Sequence, residues 1–439
     1  VNNLNKYNSL NQLISNFNNH TIGIGYEMTN DSNNIYINGK LNNKTAYYNL
    51  QALTSLTASS NGALISVIAG SGPAGSYSKI NFVPALSAQF NCPMGLDIDS
   101  NGNIYIADVF NNMIRKYTAT SSMVSPVANN SGISGFSGDG GVALSAKLYE
   151  PTATMLDNSE SFLYVADELN NRVRRIDFTT GVIELICGTA ISGGFSGDGG
   201  HPAYAYLSAP GALAIDSTNN IYIADKANNR IRKITVATVS SGIISTIAGT
   251  ATPGFSGDGG SSLASQIDIN TSIDTSGFAQ VGLACDSSDN LYFTDVNNNR
   301  VRKIDNSTGI ITTIAGNGSI GHPVDGTSAT TQPLTSPSCM AIDSLDNIYF
   351  IEGGFRYVRK VDVSGTVSTV VDVGVGYMNA VGLAIDSSNH VYISIRSATT
   401  STNLNQILKI LQNIEFMLRM KKWSVKASLI LNHLQDVTS

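Results

Sequence analysis

The 439-residue chain carries a net charge of −6, a pI near 5.4 and a charged fraction of 13%, about half of typical usage, with Asn, Ser, Thr and Gly in its place. An acidic, sparsely charged surface offers phosphate backbones and anionic lipid no general attraction, so nucleic acid is not an expected partner. No apolar run reaches 18 residues, which predicts no transmembrane segment; Cys92, Cys187, Cys285 and Cys339 are too scattered for a zinc site, and no disulfide is expected.

Residues 1–62 open with an Asn-rich stretch and continue through TIGIGYE (21–27), NNIYING (33–39) and TAYYNL (45–50), an N-terminal extension or a degenerate blade. ALISVIAG (63–70) then reads as an isolated strand. After it, one segment recurs six times: GNIYIAD (102–108), SFLYVAD (161–167), NNIYIAD (219–225), DNLYFTD (289–295), DNIYFIE (346–352) and NHVYISI (389–395). Each copy follows a short apolar strand ending in Asp99, Asp157, Asp216, Asp286, Asp343 or Asp386, and the residues between are hairpin-turn types. A third strand such as NRVRRID (171–177) alternates apolar and polar residues, and a fourth such as GIISTIAG (242–249) completes the unit.

Four-stranded antiparallel units cannot bury both faces alone, and a radial ring lets each cover the next. The fold class is therefore all-β, a six-bladed propeller over residues 63–410. The sixth copy has no fourth strand of its own, and 63–70 supplies one, joining the chain ends in one blade. Seven blades, with residues 21–50 as the extra one, is the alternative. Residues 411–439 match nothing in the repeat; Leu411, Ile414, Met417 and Leu418 have helical spacing.

The unit P.GLAID..NNIYIAD..NNRIRKI...GIISTIAGT...GFSGDGG resembles the NHL repeat, in the version whose blades are joined by a Gly-rich loop, and departs from it at NLNQILKI (403–410). The resemblance implies a propeller, and among NHL-like propellers is an amidating lyase whose metal is held by axial histidines. Here His20, His201, His322, His390 and His433 all lie off the inner strands.

GFSGDGG itself occurs at 135–141, 194–200 and 254–260, with a remnant ending in Asp325. Its glycines suit a tight connection between blades. Phe136, Phe195 and Phe255 would then plug the seams, and Asp139, Asp198 and Asp258 would accept N–H groups of their own loops. The functional alternative is a ligand-binding face built from these six residues and Asp325. Asp167 with Arg172, Asp225 with Arg230 and Asp295 with Arg300 read as ion pairs pinning a hairpin, a series to which Asp108 also belongs. DIDSNGNIYIAD (97–108) has the spacing of a calcium loop at Asp97, Asp99, Asn101, Gly102 and Asp108, but Ala214 and Ala384 replace Asp97 in other copies. No cofactor is expected, calcium at this loop being the one weighed, and no metal site is assigned.

With no nucleophile elbow and no P-loop, the expected function is a non-catalytic module that binds a protein or glycan on the Gly-rich-loop face. The segment 265–280 is the longest insertion there. A metal-dependent lyase or hydrolase is the alternative. Seven Asn-x-Ser/Thr sequons (Asn19, Asn30, Asn43, Asn129, Asn270, Asn306, Asn317) suit an extracellular or cell-surface protein, although this much Asn, Ser and Thr yields several by chance. Oligomeric state leaves no readable mark.

Overall fold

The computed structural model describes residues 26–30, 35–41, 44–50, 64–72, 82–189, 192–235, 242–271, 280–352, 356–373, 378–397 and 405–411. The expectations for residues 1–20 and for the tail beyond Leu411 fall outside them. Tyr26–Asn30, Ile35–Leu41 and Lys44–Leu50 form an antiparallel sheet of their own.

The other strands make a six-bladed β-propeller. Blade 1 is Pro93–Ile98, Ile104–Asp108, Met113–Thr118 and Met123–Ala128; blade 2 is Pro151–Leu156, Phe162–Asp167, Arg172–Asp177 and Val182–Cys187. Blade 3 is Pro210–Ile215, Ile221–Asp225, Arg230–Thr235 and Ile243–Ala248; blade 4 is Leu283–Cys285, Leu291–Asp295, Arg300–Ile304 and Ile311–Ala315. Blade 5 is Ser338–Ile342, Ile348–Glu352, Tyr357–Val361 and Thr366–Asp372. Blade 6 takes Met378–Ile385, Val391–Ser397 and Asn405–Leu411 from one end of the chain and Leu64–Gly72 from the other, as the missing fourth strand required. Six blades, not seven, close the ring: each inner strand touches the next, and the inner strand of blade 6 touches that of blade 1.

Packing explains the sequence pattern. In the third strand of blade 2, Val173 and Ile176 are buried, and the seam between blades 1 and 2 holds Ile114, Ala128, Leu148, Leu163, Val165 and Ile183 in one apolar cluster. Inner strands approach so closely that a Cβ on Gly382 would lie 1.7 Å from the Met94 carbonyl oxygen of the neighbouring blade.

Outer edges are covered too. After GFSGDG the chain runs along the fourth strand of the blade it is about to enter. Gly140 N–H donates to the Ile183 carbonyl at 2.8 Å, Gly199 to Ile244 at 2.8 Å, Gly259 to Ile311 at 2.8 Å and Gly326 to Val367 at 2.9 Å. The Gly-rich connection thus hides an edge that would otherwise invite pairing with another chain.

Candidate functional site

The acidic residue that ends the second strand in blades 1 to 5 is carried to the start of the hairpin turn and buried there. Asp108, Asp167, Asp225 and Asp295 have no exposure, and neither does Glu352 in the same position of blade 5. The backbone register sets Asp167 opposite Arg172, Asp225 opposite Arg230 and Asp295 opposite Arg300. The ion pair nevertheless forms on the diagonal, two residues further along. Asp167 meets Arg174 at 3.5 Å, Asp225 meets Arg232 at 3.3 Å and Asp295 meets Arg302 at 3.4 Å. Asp108 with Arg115, at 3.3 Å, and Glu352 with Arg359, at 2.9 Å, repeat the arrangement. The pairs expected with Arg172, Arg230 and Arg300 are corrected accordingly: Arg172 and Arg300 turn to backbone carbonyls at 2.9 Å instead, and Arg230 to that of Asn228 at 3.3 Å.

The loop aspartates hold the same buried guanidinium from the other side. Asp139 bonds Arg174, Asp198 bonds Arg232 and Asp258 bonds Arg302, each at 2.7 Å, and Asp325 reaches Arg359 at 3.5 Å. They therefore do not serve the N–H groups of their own loop. Fourth-strand hydroxyls of Thr246 and Thr313 donate to Asp198 and Asp258 at 2.7 and 2.6 Å, and Thr369 to Asp325 at 2.9 Å. Carbonyls of the same connection complete the set: Arg174 donates to Lys147 and Ser137, Arg302 to Gln266 and Ser256. Each clamp ties connection, second strand and third strand together around one cation. Burial lifts Asp167, Asp225 and Asp295 to about 6, against the N–H groups of Tyr149, Ser208 and Asp268, their asparagines and their arginines, so all three remain ionised at neutral pH.

The aromatics lie over the remaining arginines. Phe136 faces Arg172 at 3.7 Å, Phe195 faces Arg230 at 3.7 Å and Phe255 faces Arg300 at 3.6 Å, ring centroid to guanidinium carbon. The phenylalanines stay 38, 40 and 39% exposed, so they lie over the seams rather than plugging them. In blade 5 the pair becomes His322 edge-on to Tyr357 at 5.1 Å.

Both asparagines of the NNR turn have work the repeat alone did not disclose. The first donates to the Gly-rich loop before its own blade: Asn170 to Gly135, Asn228 to Gly194, Asn298 to Gly254. The second, left-handed at φ 46 to 54°, accepts from the residue leading into the next blade. Asn112 takes the N–H of Glu150, Asn171 that of Ala209, Asn229 that of Ile269, Asn299 that of Ser336.

The calcium-like spacing does not gather its residues. Asp97 accepts from Ile98 and Leu156 on the inner strands, Asp99 caps its turn, and Asp108 lies opposite Pro93 at the far end of the hairpin. His201 caps a short turn, His322 bonds Glu352 at 2.9 Å and His390 bonds Asp386 at 2.9 Å, in separate loops. Among the described residues no three His, Cys, Asp or Glu side chains are grouped to hold a metal ion.

The segment 265–280 begins as ordinary connection, with Ile267 and Ile269 fully buried, and residues 272–279 lie outside the described residues. Its last residue was not singled out by the sequence. Gln280, 5% exposed, reaches to other blades, donating its amide to the Thr152 carbonyl of blade 2 and, at 2.8 Å, to that of Gly211 in blade 3, while Cys339 of blade 5 donates its N–H to the Gln280 carbonyl.

The NNR turn and the GFSGDGG connection recur together in blades 2 to 4, and the buried clamp in blades 1 to 5, within a ring of six four-stranded blades. The chain is an NHL-like β-propeller. No family model matches it. NHL repeat-containing protein 2 of Bos taurus is 26% identical over 159 residues, 34% of this chain and 22% of its own length. Protein SUPPRESSOR OF QUENCHING 1, chloroplastic, of Arabidopsis thaliana is 23% identical over 282 residues, 63% of this chain and 25% of its own length. The chain thus spans about a quarter of the length of the curated relatives it matches. A Bacteroides thetaiotaomicron protein of unknown function superposes with a TM-score of 0.54 at 17% identity, over 87% of this NHL-like propeller and 82% of that chain. An auxiliary nutrient binding protein of Bacteroides ovatus gives 0.54 at 11% identity over 88% of each. No helix among the described residues is long and apolar enough to cross a membrane.

Proposed function

We propose that this NHL-like propeller is a non-catalytic binding module, outside the cell or on its surface, that holds a protein or glycan on the side of its Gly-rich connections. The observation that carries the reading is the series Phe136, Phe195 and Phe255. Three identical rings on consecutive seams are backed by arginine and remain 38–40% exposed, although the neighbouring polar groups are consumed by the fold. An aromatic face held in place loses little entropy when a sugar ring or an apolar side chain covers it. The Bacteroides ovatus relative in fold is named as a nutrient binding protein, so binding is among the roles this architecture serves.

The test is a screen of the full chain against a glycan array and a peptide array, beside the triple variant Phe136→Ala, Phe195→Ala, Phe255→Ala. A hit that the wild type binds and the triple variant loses, with the melt of the variant still cooperative, supports the reading. A hit held equally by both, or no hit at all, overturns it.

A further inference from the structure

The side opposite the Gly-rich connections carries a second set of contacts between blades, made by the turn that joins first and second strands. The residue after the turn Asp donates to the third residue after the corresponding Asp of the next blade. Ser100 gives its N–H and hydroxyl to Glu160 at 2.6 and 2.8 Å, Ser217 to Asp289 at 2.8 and 2.7 Å, Ser287 to Asp346 at 2.9 and 2.6 Å. Asn158 gives its N–H to Asn219 at 3.3 Å, and Ser344 both groups to Asn389 at 3.3 and 3.2 Å. The acceptors share one left-handed backbone, φ 54 to 65°. The series would close with Ser387 of blade 6 donating to position 102 of blade 1. That position is Gly102, with the same backbone at φ 76° and no side chain to accept.

Among the described residues, the other flank of blade 6 also lacks pairs that recur elsewhere. The clamp carboxylate and arginine are replaced there by Ile395 and Leu408, identified by Lys409 meeting Asp386 at 3.9 Å as Lys116 meets Asp99 at 3.7 Å. Arg356 stands where blades 1 to 4 have the second asparagine of NNR, and bonds Asp372 instead of reaching the next blade. No GFSGDGG sequence leads into blade 6, whose first strand begins at Met378 soon after the fourth strand of blade 5 ends at Asp372. Its fourth strand comes from the distant Leu64–Gly72.

From these coincident losses we infer that the ring opens at blade 6, which unfolds and recloses as a unit while blades 1 to 5 stay assembled. Local opening follows the elements with fewest ties to the rest, and here both seams of one blade lack a stitch that other seams possess. Opening separates the two chain ends that share the blade and bares the strand edges between them.

Native-state hydrogen exchange on the full chain tests this, with Gly102→Asn to supply the missing acceptor and Asp289→Gly to remove an existing one. Asparagine holds the same left-handed turn at 219 and 389, so the first variant suits the backbone. Amides of 64–72, 378–397 and 405–411 should exchange about tenfold or more faster than those of blade 3. Gly102→Asn should slow them severalfold, and Asp289→Gly should speed exchange at blades 3 and 4. Exchange in blade 6 no faster than in blade 3, or unmoved by Gly102→Asn, overturns the inference. So does an Asp289→Gly protein whose exchange matches the wild type.

Discussion

Asp225 and Arg232 pair at 3.3 Å with no solvent exposure on either side chain, although Arg230 is the residue directly across the ladder. The diagonal choice leaves one guanidinium buried between two carboxylates and the other lying on Phe195. Removing one member of a buried pair leaves an uncompensated charge, so Arg232→Ala should cost about 3–5 kcal/mol. Arg230→Ala, which loses mainly a half-exposed stack, should cost about 0.5–1 kcal/mol. Urea unfolding midpoints rank the two, and the reverse order would mean that the clamp is misassigned. Blade 6 supplies a control within the chain. Imitating its Ile395 and Leu408 with Asp225→Ile and Arg232→Leu together should recover part of the loss, because both partners leave at once.

The clamp also marks where sequence reasoning stops. Aspartate at the end of strand two and arginine early in strand three were legible as partners because both recur. Arg172 and Arg174 point to the same face of one strand, and only sheet twist and the position of Phe136 decide between them. Asp139 looked like a residue serving its own loop because a repeat does not say which neighbour a connection lies against. Six blades and the borrowed strand 64–72 were readable from closure alone. Gln280 left no signal, being a single polar residue at the end of an insertion, and its role exists only once the inner strands converge.

Asp97 predicts a pH effect. It sits on the inner strand of blade 1, accepts from Leu156 N–H at 2.5 Å, and has Asp99 and Glu160 nearby with no cation against it. Burial first, then those carboxylates, raises its carboxyl to about 6 despite the two backbone donors. A folded value above the unfolded one, about 4, means that the folded state holds the extra proton between them. The stability this group contributes is therefore full below about pH 4 and is lost as pH rises through 6. Asp97→Asn should remove that dependence: the stability difference between variant and wild type should change by about 2–3 kcal/mol between pH 4 and 7.5, in favour of Asn at the higher pH. Paired denaturant titrations at the two pH values measure it, and a constant difference would show that Asp97 is not destabilised when ionised.

Gly382 and Met94 predict a steric limit on closure. A methyl group at 382 would overlap the Met94 carbonyl at 1.7 Å and crowd the Ser394 hydroxyl at 2.5 Å. Neither backbone can yield without parting the inner strands of blades 6 and 1. Gly382→Ala should cost about 3 kcal/mol, the upper end of the usual range for overpacking a tight interior. Gly365→Ala meets nothing within 4 Å and strains only the backbone at φ 80°, about 1–2 kcal/mol. Thermal melts of the two variants separate the effects. Similar losses would mean that backbone conformation, not the approach of the blades, requires glycine at 382.

The four cysteines are free, and three of them, Cys92, Cys187 and Cys339, are buried. Burial pushes these three thiols up to about 12, for Cys92 against the nearby Arg396, and Cys285 is raised further still. The thiolate is the reactive form, so little of it exists in the folded state at pH 8. Native protein should therefore react with a thiol reagent such as Ellman's at less than about one equivalent, and with all four thiols once unfolded. Because Cys92 lies in the seam between blades 6 and 1, where its N–H bonds Asn405 at 3.0 Å, its labelling also reports on that seam. Peptide mapping after slow native labelling should find Cys92 modified before Cys187, whose N–H and neighbours belong to the fully clamped blade 2. Modification in the opposite order would place the first opening of the ring elsewhere than at its closing blade.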